Sequence, residues 1–302
     1  MCKSRLKVYF FLFVGLTLSV GVCRCGSSSN DIVTDDDPAV DDALIKEDSS
    51  TGIDVVGLSI SHPMEVRKRI FESEIPAVSF EEKRQILYAV LDTLYKLKAY
   101  QEEDIYAEVD SLNYLAIHYL KNILLDKKSR LYPLKHKMLN QITSSDKTFS
   151  IYYWEENIGE PIPTTLSVYQ YFGTDGNLHS FFNMDDQDRE DFDFSTSKII
   201  GIYKLSSTHE QMLYLLNFEG CTGNESCFKG STIAEITENG LKFDYNSFGE
   251  GVEYFFESYA SGDKLTISYN AKLKELTYKH VFANKSEQKV FLFDGAMFGA
   301  KE

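Results

Sequence analysis

The sequence predicts an α+β protein: an N-terminal helical segment of two to three helices packed on a C-terminal antiparallel β domain of roughly 8–10 strands. Three observations point there. From Lys147 to Glu302, apolar and polar residues alternate in short runs cut by glycine turns. From Ser61 to Ile142, apolar residues recur at helical spacing. Ahead of both lie a basic, apolar leader (1–22) and an acidic stretch without aromatic residues (23–60).

The leader opens with Lys3, Arg5 and Lys7, followed by an apolar run of 15 residues from Val8 to Val22. A membrane-spanning helix needs about 20 residues, so the run fits a signal-peptide core better. Cys23 follows it directly. Val20-Gly21 before that cysteine is similar to a bacterial lipobox, although Val22 stands where a small residue is usual. The expectation is an exported lipoprotein with a palmitate-type lipid on Cys23, anchored to the outer membrane of a bacterial cell envelope. The alternatives are ordinary cleavage nearby or an uncleaved anchor.

Residues 23–60 are rich in Ser and Asp, including Asp35-Asp36-Asp37. Such a segment buries too little apolar surface to offset its ordering entropy, and reads as a disordered acidic tether. Helical signals begin at Ser61. Pro63 suits a first turn and Pro76 closes that segment. Ser79 and Glu82 form a capping box before a stripe of Ile86, Leu87, Val90, Leu91, Leu94 and Leu97. A second stripe runs through Ile105, Val109, Leu112, Leu115, Ala116, Leu120, Ile123 and Leu124. Residues 129–142 give a shorter helical segment interrupted by Pro133.

The β domain follows at 147–302. Phe149, Ile151 and Tyr153 alternate with Thr148, Ser150 and Tyr152; Leu166, Val168 and Phe172 alternate with Ser167, Tyr169 and Tyr171. Met212 to Phe218 is apolar on both faces, which predicts a central strand covered on two sides, once by folded-over strands and once by the helices. Leu276, Tyr278, His280 and Phe282 share a face of another strand. Turns fall at 173–177, 237–240, 261–263 and 293–295, with Asn239-Gly240 the clearest hairpin signal.

Composition excludes one class of partner. Acidic residues number 46 against 31 basic, a net charge of −15, or near −18 without the leader. Phosphate backbones and anionic lipid surfaces would repel such a chain, so we expect no nucleic-acid partner and membrane contact through the anchor alone. In the β domain the cysteines are Cys221 and Cys227, six positions apart in a polar loop. In an exported chain that spacing predicts a local disulfide. Asn224 and Asn284 head glycosylation sequons; under the lipoprotein reading the host is bacterial and the matches are accidental.

The sequence carries no nucleophile elbow, phosphate loop, dinucleotide fingerprint or paired-histidine metal motif. Its six histidines are scattered and read as structural or surface residues. The acidic run 185–193 offers Asp186, Asp188 and Glu190 as candidate Ca²⁺ ligands, but the EF-hand register fails, and the plainer reading is a solvated loop. No cofactor is expected otherwise. Glu155 and Glu156 are adjacent strand residues pointing to opposite faces, so they cannot flank one glycosidic bond.

Aromatics remain, 21 Phe and 19 Tyr with a single Trp. Tyr152, Trp154, Tyr169 and Tyr171 are expected on one face, opposite Phe149, Ile151 and Leu166. Exposed, they would be a ligand patch for a sugar or protein; covered by the helices, they are core. The run from Tyr152 to Phe172 and the closing FLFDGAMF resemble exported Bacteroidota lipoproteins of uncharacterised role. That resemblance spans 147–302 and implies an envelope location and an all-β module, with no activity or site residues. Two functions are therefore expected: a non-enzymatic binding or scaffolding module for protein or glycan, or a glycan-directed hydrolase recruiting carboxylates from separate strands. Convergent carboxylates or a histidine in one cleft would favour the second.

Overall fold

The computed structural model describes residues 75, 78–97, 106–156, 164–182, 197–208, 211–221, 226–243, 246–249, 251–283 and 285–301. Helix α1 is Phe80–Leu97. The Ser79 amide donates to Glu82 Oε2 (2.8 Å), and the Glu82 amide donates back to Ser79 Oγ (3.2 Å), closing the capping box. Leu87, Val90, Leu91 and Leu94 are buried along one stripe. Helix α2, Tyr106–Leu125, is buried on more than one side, through Val109, Leu112, Ala116, Ile117, Leu120, Ile123 and Leu124. A helix apolar nearly all round must lie between other elements. Here α1 and the first sheet enclose it.

The expected helix over 129–142 is corrected. A short α3, Lys128–Leu131, stops as Tyr132 turns extended (φ −115°, ψ 90°), the conformation that a following proline imposes. Asn140–Thr143 is a strand, β1. Its Ile142 pairs with Ile151 of β2, Phe149–Glu155. The first sheet continues with β3 (Thr165–Phe172) and β4 (Leu178–Phe181), in the order β1-β2-β3-β4.

The second sheet holds β5 (Lys198–Lys204), β6 (Met212–Cys221), β7 (Ser226–Thr237), β8 (Gly240–Lys242) and β9 (Tyr254–Ala260). Both β8 and β9 pair with the long β7. The third sheet holds β10 (Lys264–Asn270), β11 (Glu275–Phe282), β12 (Lys285–Phe293) and β13 (Phe298–Ala300), in that order. Every strand pairing among the described residues is antiparallel. The thirteen strands among the described residues exceed the expected 8–10, because β1, β4 and β13 are too short, at three or four residues, to show an alternation; β8 is the second arm of the hairpin expected at Asn239-Gly240. At the β7–β8 hairpin, Thr237 pairs with Gly240. Glu238 and Asn239 thus make the turn, and Gly240 takes the positive-φ position after it (φ 120°).

Three apolar cores stack between these layers. Helix residues pack with Tyr152, Trp154 and Val168 on the outer face of the first sheet. Phe149, Ile151, Tyr169 and Tyr171 meet Tyr214, Leu216 and Phe218 between the first and second sheets. Leu213, Leu215 and Ile233 meet Leu265, Leu276, Tyr278, Phe293 and Phe298 between the second and third. The strand read as apolar on both faces, β6, is indeed central and buried on both sides. Its second cover is a correction: a sheet lies on each side of it, and the helices cover the first sheet instead.

A polar pin closes the seam between the first two sheets. In the β1–β2 turn, Asp146 Oδ1 accepts from Ser144 Oγ (2.6 Å) and the Thr148 amide (3.2 Å). Its Oδ2 accepts from the Tyr214 hydroxyl of β6 (3.2 Å) and faces Lys204 Nζ of β5 (3.1 Å). Lys147 in that turn sits at φ 58°, in the left-handed region.

Candidate functional site

The four aromatics of the expected patch do not share a face. Phe149 pairs with Tyr171 and Ile151 with Tyr169, so both tyrosines lie on the Phe149 side, toward the second sheet. Tyr152 and Trp154 point the other way, under the helices. All four are buried: Tyr152 is 1%, Trp154 0%, Tyr169 1% and Tyr171 4% exposed. Of the two readings, exposed patch or core, the core reading holds; the shared face is corrected, because alternation within a strand does not say which face its neighbour presents to the same side. Trp154 has a structural partner: its indole N–H donates to Asn113 Oδ1 (2.9 Å), and Asn113 Nδ2 donates to the Glu156 carbonyl (2.8 Å). Burial pushes the Tyr152 phenol up to about 12, against the pull of Arg130.

Of the other expected site residues, Cys221 and Cys227 are joined (S–S 2.04 Å) as a directly opposed pair on β6 and β7. Cys23, Asp186, Asp188 and Glu190 lie outside the described residues. Among the described residues no group of three or more His, Cys, Asp or Glu could hold a metal ion, and no helix is long and apolar enough to cross a membrane.

Among the described residues, two open grooves bring polar side chains together. One, of about 370 Å³, lies between the β3–β4 and β7–β8 turns and is lined by Tyr171, Asp175, His179 and Glu238 among others. His179 stacks on Tyr171 (centroids 5.5 Å apart, planes 13°) and its Nε2 lies 3.0 Å from Asp175 Oδ1. Hydrogen bonds from His179, then Asn177, hold the Asp175 carboxyl down at about 2. The pair is on the surface and closed on itself.

The other groove, of about 330 Å³, opens at the rim between the second and third sheets. It is lined by Phe256, Glu257 and Ser258 of β9, His280 of β11, and Glu287 and Lys289 of β12. Alternation explains how polar groups came here. On β11, Leu276 and Tyr278 are buried between the sheets, and two residues further the same face presents His280. On β12 the series Phe293, Phe291, Lys289, Glu287 makes the same passage from core to rim. The Glu257 side chain, 13% exposed, forms an ion pair with Lys289 Nζ. That ammonium also lies 5.6 Å from the centroid of Phe255. His280 Nε2 lies 3.5 Å from Asp263 Oδ2 in the β9–β10 turn. Beneath the groove, the Tyr278 hydroxyl donates to Ser231 Oγ (2.7 Å), which donates to buried Asn217 Oδ1 (2.8 Å). Burial drives the Tyr278 phenol well above the usual tyrosine range.

Sequence reasoning missed this site. Alternation puts His280 on one strand face with Leu276 and Tyr278, yet nothing in the sequence marks its neighbours across the strands. A usable signal existed: folding 282 and 285 into a tight hairpin sets His280 opposite Glu287 and Tyr278 opposite Lys289. Glu257 comes from another sheet, and no local pattern could have added it. Comparison with protein-family models, curated proteins and solved structures finds no match to the chain.

Proposed function

We propose that the protein is an exported, lipid-anchored component of a bacterial cell envelope with a non-enzymatic binding or scaffolding role, and that the rim groove holds its protein or glycan partner. The observation that carries this reading is the gathering of an aromatic, two carboxylates, an imidazole, an ammonium and a hydroxyl around one open space. The envelope location rests on the basic leader, the short apolar run ending at Cys23, and a disulfide of the kind that persists in oxidising compartments. A photo-crosslinking residue at Phe256, 41% exposed in the groove, tests the site against one at Leu131, 74% exposed beside the helices. In cells, Phe256 should give a discrete adduct and Leu131 none. Equal adducts, or none at Phe256, overturn the reading. For the location, an alkyne fatty acid should label wild type but not Cys23→Ala.

One observation favours a second reading, hydrolysis: Glu257, Glu287 and His280 line the same groove. Under that reading the purified chain cleaves envelope glycan, and Glu257→Gln and Glu287→Gln each abolish cleavage. We favour binding because Glu257 is already held by Lys289.

A further inference from the structure

Resting on the binding reading of the rim groove, we infer that the ligand group it seats is an organic cation, a primary ammonium or a guanidinium, and that the Lys289 side chain occupies that seat in the free protein. Glu257 is the anchor. Its carboxylate is largely buried, and a buried carboxylate must find a positive partner or hydrogen-bond donors. The partner it has is an ammonium on a long side chain that is 58% exposed. That ammonium also hangs over the Phe255 ring. A carboxylate beside an aromatic face is a recognised cation seat, so the chain's own lysine shows what the place fits. The lysine reaches the carboxylate from the solvent side, so a ligand cation can take its place while the buried carboxylate stays paired.

Charge and hydrogen bonding agree. Glu257 and Glu287 line the groove and Asp263 adjoins it, whereas its lining holds one permanent cation, Lys289; Lys229, across from Glu257 on β7, is paired with Glu219. Glu287 is exposed and makes no ion pair among the described residues. A neutral sugar would leave this excess unmatched, and an anion would be repelled. Glu257 Oε1 and His280 Nε2 are both shut off from solvent, the first against Lys289 Nζ and the second 3.5 Å from Asp263 Oδ2. A ligand ammonium brings the same three donors as the lysine it replaces, and a guanidinium brings five in a fork that can meet both carboxylate oxygens.

The placeholder role makes an unusual prediction. A seat filled part of the time by an internal competitor binds its ligand more weakly in proportion, so removing the competitor tightens binding. Titration calorimetry of the full chain would use arginine methyl ester as probe and N-acetylglucosamine as neutral control. Wild type should bind the ester; Lys289→Ala should bind it about tenfold more tightly; Glu287→Gln and Glu257→Gln should weaken it by a similar factor. Glu287 is exposed, so its variant reports even if Glu257→Gln misfolds. If Lys289→Ala binds the ester no better than wild type, the inference is overturned. Binding of the sugar alone, abolished by Glu287→Gln, also overturns it but leaves the binding groove standing. If neither probe binds and Phe256 crosslinks nothing, the inference and the binding reading fall together.

Discussion

Asp146 concentrates more polar contacts than any expected site residue of the sequence, yet its task is mechanical. Burial works against its charge, but hydrogen bonds from Ser144 and Thr148 and the Lys204 ammonium outweigh it, holding the carboxyl well below its ordinary 3.8. A carboxyl depressed in the folded state contributes stability above its unfolded pKa and loses it as pH falls toward the folded one. Wild type should therefore lose stability progressively below about pH 4, on the order of 1–2 kcal/mol from this group after solvent screening. Asp146→Asn should melt lower at pH 7 and show a flatter acid limb; parallel curves for both proteins would remove Asp146 from the account. Asn113 offers a second test with its own reporter, because Trp154 is the only tryptophan. Asn113→Ala leaves the indole N–H and the Glu156 carbonyl without their partner. The cost should be about 1–3 kcal/mol by denaturant midpoint, with a shift in Trp154 emission; an unchanged midpoint contradicts that role.

Among the elements, β6 is the one on which the most packing depends. Leu215 is fully buried between the second and third sheets, and Leu215→Ala should cost about 2–5 kcal/mol in urea unfolding. At the end of β6, mass spectrometry of unreduced peptides should recover Cys221 linked to Cys227, and free alkylation of both thiols would refute the link. The sequence announced β6 through apolar residues on both faces, and α1 through Ser79 and Glu82. Strands of three or four residues gave no periodic signal. Pairing was the larger gap. Tyr169 and Tyr171 were assigned to the wrong side because which faces line up across β2 and β3 is set by the connection between them, not by either strand alone. The rim groove was hidden for the same reason: its residues come from β9, β11 and β12, each unremarkable by itself.

Across the molecule, helices and three sheets lie as successive layers, each adjoining pair sharing one apolar core. The described residues belong to one compact unit. Removing everything before 147 strips α1, α2, α3, all of β1 and the Asp146 turn, uncovering Tyr152, Trp154 and Val168. Exposed apolar area costs about 25 cal/mol per Å². The fragment 147–302 should aggregate or bind a hydrophobic dye, even though β6 keeps both its covers. A soluble, monomeric fragment melting like the full chain would show that the β layers need no helical cap.

Each sheet is made of strands consecutive in the chain: β1 to β4, then β5 to β9, then β10 to β13. No strand must wait for a distant partner to complete its own ladder, and short-range pairing speeds folding. A chain made from its N-terminus can therefore finish one layer before the next emerges. Pulsed hydrogen exchange during refolding should protect β2 and β3 without the third sheet present. A chain truncated after 263 should keep the first two sheets while its Leu213–Leu215–Ile233 surface stands bare, awaiting the last hairpins to seal it.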